Sequence, residues 1–76
     1  MIWQDRGQTA FARAGQYEAS ILRVEYVSGW SWSVIERYRN GRSWQLARGA
    51  KPTLELAKEE CEYHVQRRLR VEEAYR

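Results

Sequence analysis

An Asn-Gly dipeptide between two strand-forming runs is the feature that most constrains the fold of this chain. Asn40-Gly41 separates residues 30–39 from residues 43–48, and both runs are rich in the aromatic and branched side chains that strands favour. Because asparagine and glycine tolerate positive φ, the dipeptide predicts a two-residue type I′ turn between antiparallel strands. The similar run at 21–27, followed by Ser28-Gly29, adds another strand. The sequence therefore predicts an antiparallel meander of three strands.

Pro52 marks the boundary between the predicted sheet and a helix. Proline cannot donate to a strand ladder, and Thr53 directly after it is a suitable N-cap. Small and apolar side chains then recur at helical spacing, at Leu54, Ala57, Cys61, His64, Val65 and Leu69. We expect one long helix over residues 54–73, packed on one face of the sheet. The predicted fold is a single α+β domain of β-β-β-α order over residues 17–76.

Residues 1–16 are the least defined part of the sequence. The stretch 9–14 is compatible with a short helix or with an added strand, and Gly15 would end either one. Trp3 and Phe11 are expected to pack on the domain. We therefore treat 1–16 as a poorly defined N-terminal segment.

Hairpin register divides the predicted strands between two faces of the sheet. With two-residue turns, one face carries Leu22, Val24, Tyr26, Ile35, Trp44 and Leu46. The other face carries Arg23, Glu25, Trp30, Trp32, Val34, Glu36, Tyr38 and Ala47. One helix can cover one face only, and the first set is aliphatic with few charges. We expect the helix on the first set and the aromatic second set in solvent.

The aromatic face is the predicted partner-binding surface. Exposed aromatic side chains in this number mark interaction sites, and Trp, Tyr and Arg are enriched among residues that dominate binding energy. The arginines around the hairpin tip also suit phosphate. The candidate partner-binding residues are Arg23, Trp30, Trp32, Arg37, Tyr38, Arg39 and Arg42. In the alternative interpretation the rings are core, covered by residues 1–16 or by a second copy of the chain, and a one-residue slip would exchange the faces.

Composition limits the classes of protein to which the chain can belong. With 76 residues, 43% hydrophobic and 30% charged, it suits one small globular domain. The 13 basic and 10 acidic side chains leave a net charge of +3, which supports only weak attraction to nucleic acid. No apolar run suits a membrane span, residues 1–5 do not resemble a signal peptide, and one cysteine fits a reducing compartment. We expect a cytoplasmic protein without a membrane partner.

Residues suited to catalysis or metal binding are few. Cys61 and His64 lie three apart on the predicted helix, but a zinc site needs further ligands. A Cys–His nucleophile pair would also need an orienting group and an oxyanion site. Gly41 and Gly49 are predicted turn glycines rather than parts of a phosphate-binding loop. We expect Cys61 to be a buried structural thiol. No metal, no cofactor, no catalytic residue and no enzymatic activity are predicted.

One stretch resembles part of a known family. Gly49-Ala50-Lys51, followed by Leu54-Glu55-Leu56-Ala57-Lys58, is similar to the second half of a double-stranded-RNA-binding domain. That family carries a lysine pair at the start of this helix, where the present chain has Thr53 and Leu54. The resemblance covers less than half of the chain, and it implies a shared β-β-β-α shape more than a shared ligand.

In size and architecture the predicted unit also resembles the small inhibitors encoded by phages and mobile elements, among them the anti-CRISPR proteins. Those proteins share no motif, so no residue role is carried over. The resemblance implies a small non-enzymatic protein in a bacterial cytosol or phage-infected host that occupies a surface of a larger protein, such as a Cas complex subunit. The alternatives are an RNA- or DNA-binding module and an obligate homodimer whose aromatic face is its interface.

Overall fold

The strand-forming runs pair into one antiparallel sheet of five strands, in the order β1-β2-β3-β4-β5. The computed structural model describes residues 1–25 and 28–74. The elements are β1 (Trp3–Asp5), β2 (Thr9–Ala14), β3 (Tyr17–Val24), β4 (Gly29–Arg37), β5 (Ser43–Lys51) and α1 (Leu54–Ala74). The predicted α+β class, with an antiparallel sheet and one C-terminal helix, is confirmed. The predicted number of strands is wrong, and Tyr26 and Val27, expected at the end of a strand, lie outside the described residues.

The two additional strands come from the N-terminal segment. β2 pairs with β3 along its whole length, and β1 adds to β2 as a short edge strand. Within β2 the side chains of Ala10 and Ala12 are buried, whereas Phe11 and Arg13 point to the other face. Alanine is a poor strand former, so the inward positions of β2 lack the branched and aromatic side chains that predict a strand.

The β4–β5 connection differs from the predicted type I′ turn. The amide of Tyr38 donates to the carbonyl of Arg42 (2.8 Å), the amide of Gly41 donates to the carbonyl of Tyr38 (3.1 Å), and Gly41 has a φ of 85°. This is a three-residue loop in which a type I turn is followed by a bulged glycine. The third loop residue shifts the β4–β5 register by one from the predicted pairing. A β-bulge between Val34 and Ile35, where Leu46 of β5 has no partner, shifts the register back.

The β3–β4 pairing also differs in register from the expectation, but it preserves the faces. Leu22 lies opposite Ser31 rather than opposite Ile35, a shift of four residues on the partner strand. Because side chains alternate with a period of two, an even shift leaves each side chain on its predicted face. Leu22 and Ile35 thus share one face, as predicted, and Trp32 and Val34 share the other.

The helix covers the face that was expected to be free. The buried residues of α1 are Ala57, Cys61 and Val65, and they form one core with the sheet side chains Ala10, Tyr17, Ala19, Ile21, Trp32 and Val34. Trp32 is only 6% exposed, and its ring stacks on that of His64 with centroids 5.3 Å apart. The prediction of an exposed Trp30, Trp32 and Tyr38 face is therefore wrong at its centre. The alternative that the rings are core is correct for Trp32, which the chain's own helix covers, and in part for the half-buried Trp30, whereas Tyr38 is exposed.

Local contacts fix the start of the helix and the position of its first half over the sheet. Thr53 caps α1 as predicted, because its Oγ1 accepts a hydrogen bond from the amide of Leu56 (3.2 Å). The indole N–H of Trp3 donates to Glu62 (2.8 Å), and Lys58 pairs with Asp5 (2.9 Å). These contacts hold β1 against the first half of α1.

Candidate partner-binding surface

The sheet has one face that nothing in the described part of the chain covers, and we call it the uncovered face. Its central row of cross-strand neighbours runs over all five strands: Gln4, Phe11, Ser20, Ser33 and Arg48. A second row consists of Thr9, Leu22, Ser31 and Ala50. Apolar side chains on this face reach solvent, with Phe11 38% and Leu22 55% exposed. The uncovered face therefore combines apolar side chains with small hydroxyl residues.

The short side chains create a depression on this face. A hollow of about 470 Å³ has walls formed by Phe11 and Leu22 and is lined at its base by Ser20, Ser31 and Ser33. Its volume lies within the range of about 300–1,000 Å³ that is usual for ligand sites. Serine hydroxyls can donate and accept hydrogen bonds, so the hollow offers polar anchoring points beside apolar walls.

A carboxylate between two guanidinium groups borders the hollow. Glu18 is buried although it lies on the uncovered face, because Arg13 and Arg37 lie over it from the neighbouring strands. Arg37 Nε donates to Glu18 Oε2 at 2.7 Å, and Arg13 donates to Oε1. Burial alone would raise the pKa of Glu18, but the hydrogen bonds from Arg37 and Arg13 outweigh it and lower this pKa. Glu18 thus stays ionised and holds both half-exposed guanidinium groups in place.

The charges give the uncovered face a positive sign. Arg48 lies opposite Ser33, at the β5 end of the central row. The uncovered face thus carries three arginines around its apolar residues: Arg13, Arg37 and Arg48. Among the strand residues of this face, Glu18 is the one acid, and both of its oxygens are occupied by arginine. The surface available to a partner is therefore cationic and apolar.

The structure does not bring the seven sequence-predicted binding residues together. Trp32 is core, Trp30 is half-buried against the core, and Tyr38 is exposed beside the helix-covered face. Arg23 is on the helix-covered face, opposite Trp30, while Arg39 and Arg42 are exposed in the β4–β5 loop. Arg37 alone lies on the uncovered face, where it binds Glu18.

Five members of this surface were not among the predicted binding residues: Phe11, Arg13, Glu18, Leu22 and Arg48. A signal for them exists in the alternation of residues 9–14, where every second side chain is alanine. Uniformly small side chains on one face of a strand allow a helix to approach closely, and the larger Phe11 and Arg13 then belong to the opposite face.

Cys61 is a buried thiol, as predicted. Burial and, to a smaller extent, the charges of Glu62 and Glu60 raise its pKa to about 12. Among the described residues, no group of His, Cys, Asp and Glu side chains converges in a way that could hold a metal ion. In the same part of the chain, no helix has the length and apolar character of a membrane span.

Comparison with known proteins finds no family model, no curated protein and no solved structure that matches this chain.

Proposed function

We propose that this protein is a non-enzymatic binding module that docks on a larger protein through its uncovered face. The observation that carries the proposal is a hollow lined by the exposed Leu22 and Phe11 and by serines, on a sheet face that also carries three arginines. An antiparallel sheet face in solvent is usually polar throughout, so large apolar side chains there favour a contact surface. Arginine and phenylalanine are both enriched at the centres of such contacts.

The positive charge of the uncovered face favours a partner segment that is acidic. A surface with Arg13, Arg37 and Arg48 favours a partner segment with an apolar side chain for the hollow and carboxylates beside it. The same charges oppose a face-to-face pair of copies of this chain, because arginines would meet arginines. A small inhibitor would act in this way by covering the surface of a larger partner protein, such as a subunit of a Cas complex that carries an acidic patch.

Selection from a displayed library of random peptides tests the proposal without a known partner. We expect the enriched peptides to carry an aromatic or aliphatic residue flanked by Asp or Glu. Leu22→Asp should weaken their binding by roughly 30-fold or more, the effect of losing about 2 kcal/mol at a dominant contact. The matched control is Leu56→Asp, which places the same change on an exposed leucine of α1 and should leave binding unchanged.

Two outcomes would overturn the proposal. Enriched peptides that bind Leu22→Asp as tightly as the parent protein would place the contact elsewhere. A concentration-dependent dimer in sedimentation that Leu22→Asp converts to a monomer would make a second copy the occupant of this face. Circular dichroism of both variants shows whether the sheet remains folded.

A further inference from the structure

A second surface lies on the other side of the molecule, between β5 and the second half of α1. It is a groove of about 490 Å³ lined by Trp44, Leu46, His64, Arg67, Arg68 and Val71. The four helix residues are spaced so that they form one stripe along α1. We propose that this groove binds single-stranded nucleic acid, with a base stacked on Trp44 and phosphates held by Arg67 and Arg68.

Trp44 is available for stacking because of its position in the sheet. It lies opposite Glu36 on the helix-covered face, but β5 is an edge strand and the helix leaves the ring of Trp44 largely open to solvent. The side chain is 65% exposed, which contrasts with the burial of Trp32 on the same face. A large aromatic ring kept in solvent beside arginines is the usual component of a sequence-tolerant single-strand site.

The charges of the groove suit phosphate. Arg67 and Arg68 line it, and none of the described residues that line it is acidic. Arg68 Nη2 is 3.7 Å from Glu36 Oε1, a distance at which that carboxylate orients the guanidinium without fully neutralising it. Exposed Arg39 and Arg42, in the loop that leads into β5, extend the basic surface beyond Trp44. Guanidinium groups bind phosphate oxygens in a bidentate manner, so arginine is well suited here.

The stacking ring favours unpaired bases over the alternatives. In a duplex the base faces are already stacked on one another and cannot reach Trp44. An acidic peptide would satisfy the arginines, but its carboxylates would leave the indole ring without a flat partner. Stacking with no hydrogen-bonding pocket for base edges also predicts weak dependence on base sequence.

Fluorescence anisotropy of a labelled short oligothymidylate tests this inference on the whole chain. Trp44→Ala should weaken binding roughly 5- to 150-fold, as expected for the loss of one stacked base, while Trp44→Phe should weaken it less. Phe11→Ala is the matched control, since it removes an exposed aromatic from the uncovered face and should leave the affinity unchanged. Arg67→Ala should lower the slope of log affinity against log salt by about 0.7 between about 50 and 200 mM salt.

The inference is overturned if the oligothymidylate does not bind at millimolar protein, or if Trp44→Ala and Phe11→Ala weaken it equally. Tighter binding of the corresponding duplex, or equal competition by an oligoglutamate of the same charge, would also overturn it. Trp44 is mostly solvent-exposed, so Trp44→Ala should retain the parent melting temperature; if it does not, Trp44→Phe and Arg67→Ala decide. This site and the uncovered face are separate, so either can fail alone.

Discussion

The indole ring of Trp32 lies directly on Gly49 of the neighbouring strand. The two residues are cross-strand partners, and a Cβ atom at position 49 would lie 2.9 Å from Cζ2 of Trp32. Gly49 is therefore a strand glycine that gives space to a core ring, and its interpretation as a turn glycine is wrong. This contact, together with His64 on Trp32, places the ring in the core.

Replacing Gly49 by alanine is expected to destabilise the protein by about 1–3 kcal/mol, because the ring or the backbone must move to admit the methyl group. Urea unfolding followed by tryptophan fluorescence measures the change. Ser31→Ala on the uncovered face serves as the control and should change stability little. A neutral or stabilising Gly49→Ala would show that the ring does not lie on this residue.

The same substitution at two tryptophans separates core from surface. Trp32→Ala should cost about 3–5 kcal/mol of stability, which a domain of this size does not readily survive, while Trp44→Ala should cost well under 1 kcal/mol. Thermal unfolding by circular dichroism compares the two variants. Equal losses, or a larger loss at Trp44, would contradict the placement of the helix.

How far the sequence determines this fold is visible at these residues. Local rules predict four features that the structure confirms: the hairpin around Asn40-Gly41, the boundary at Pro52, the Thr53 cap and the extent of the helix. The division into two faces is also largely correct, because it needs only the alternation of side chains. Trp44 and Leu46 are exceptions. The shift at the three-residue loop moves Trp44 to the helix-covered face, and Leu46, the unpaired residue of β5, packs against the core beside the helix.

The choice of the face under the helix does not follow from local rules. We expected the aliphatic face to be covered, but packing depends on the fit of volumes as well as on polarity. The large ring of Trp32 on β4 fits under a helix whose inward side chains include the small Ala57 and Cys61. The strands beside β4 supply further small residues, namely alanines and Gly49. That complementarity joins distant parts of the chain, so no window of sequence contains it.

Replacing Glu18 by glutamine is expected to lower stability near neutral pH by about 1–3 kcal/mol, because two guanidinium groups lose their anionic acceptor. The pKa of Glu18 is lowered in the folded state, so its contribution is present above the ordinary value of 4.5 and is lost as pH falls through the lowered pKa. Urea unfolding over the acid range should show a smaller loss of stability in Glu18→Gln than in the parent protein. Parallel pH profiles for the two would contradict the role of this carboxylate.

Two buried groups predict a loss of stability in alkali. Cys61 has its pKa raised from 9.0 to about 12, and Tyr17, buried and donating to Glu72, has its pKa raised from 10.0 to about 12. Raised values mean that both contributions are complete below pH 9.0 and are lost as pH rises through about 12. The free energy of unfolding should therefore fall between about pH 9 and pH 12, and Tyr17→Phe should reduce that fall. An identical slope in Tyr17→Phe would contradict the placement of this hydroxyl.

The most direct test of the account follows the methyl and aromatic-ring NMR signals of the protein, including the indole signals, during titration with the tightest peptide from the random library. We predict that the largest changes occur at the methyl groups of Leu22 and Ile35 and at the ring of Phe11, on the uncovered face. The indole signals of Trp32 and Trp44 should stay in place. Changes concentrated at Trp30, Tyr38 or Trp44, with Leu22 and Ile35 unaffected, would contradict the claim that the uncovered face is the protein-binding surface.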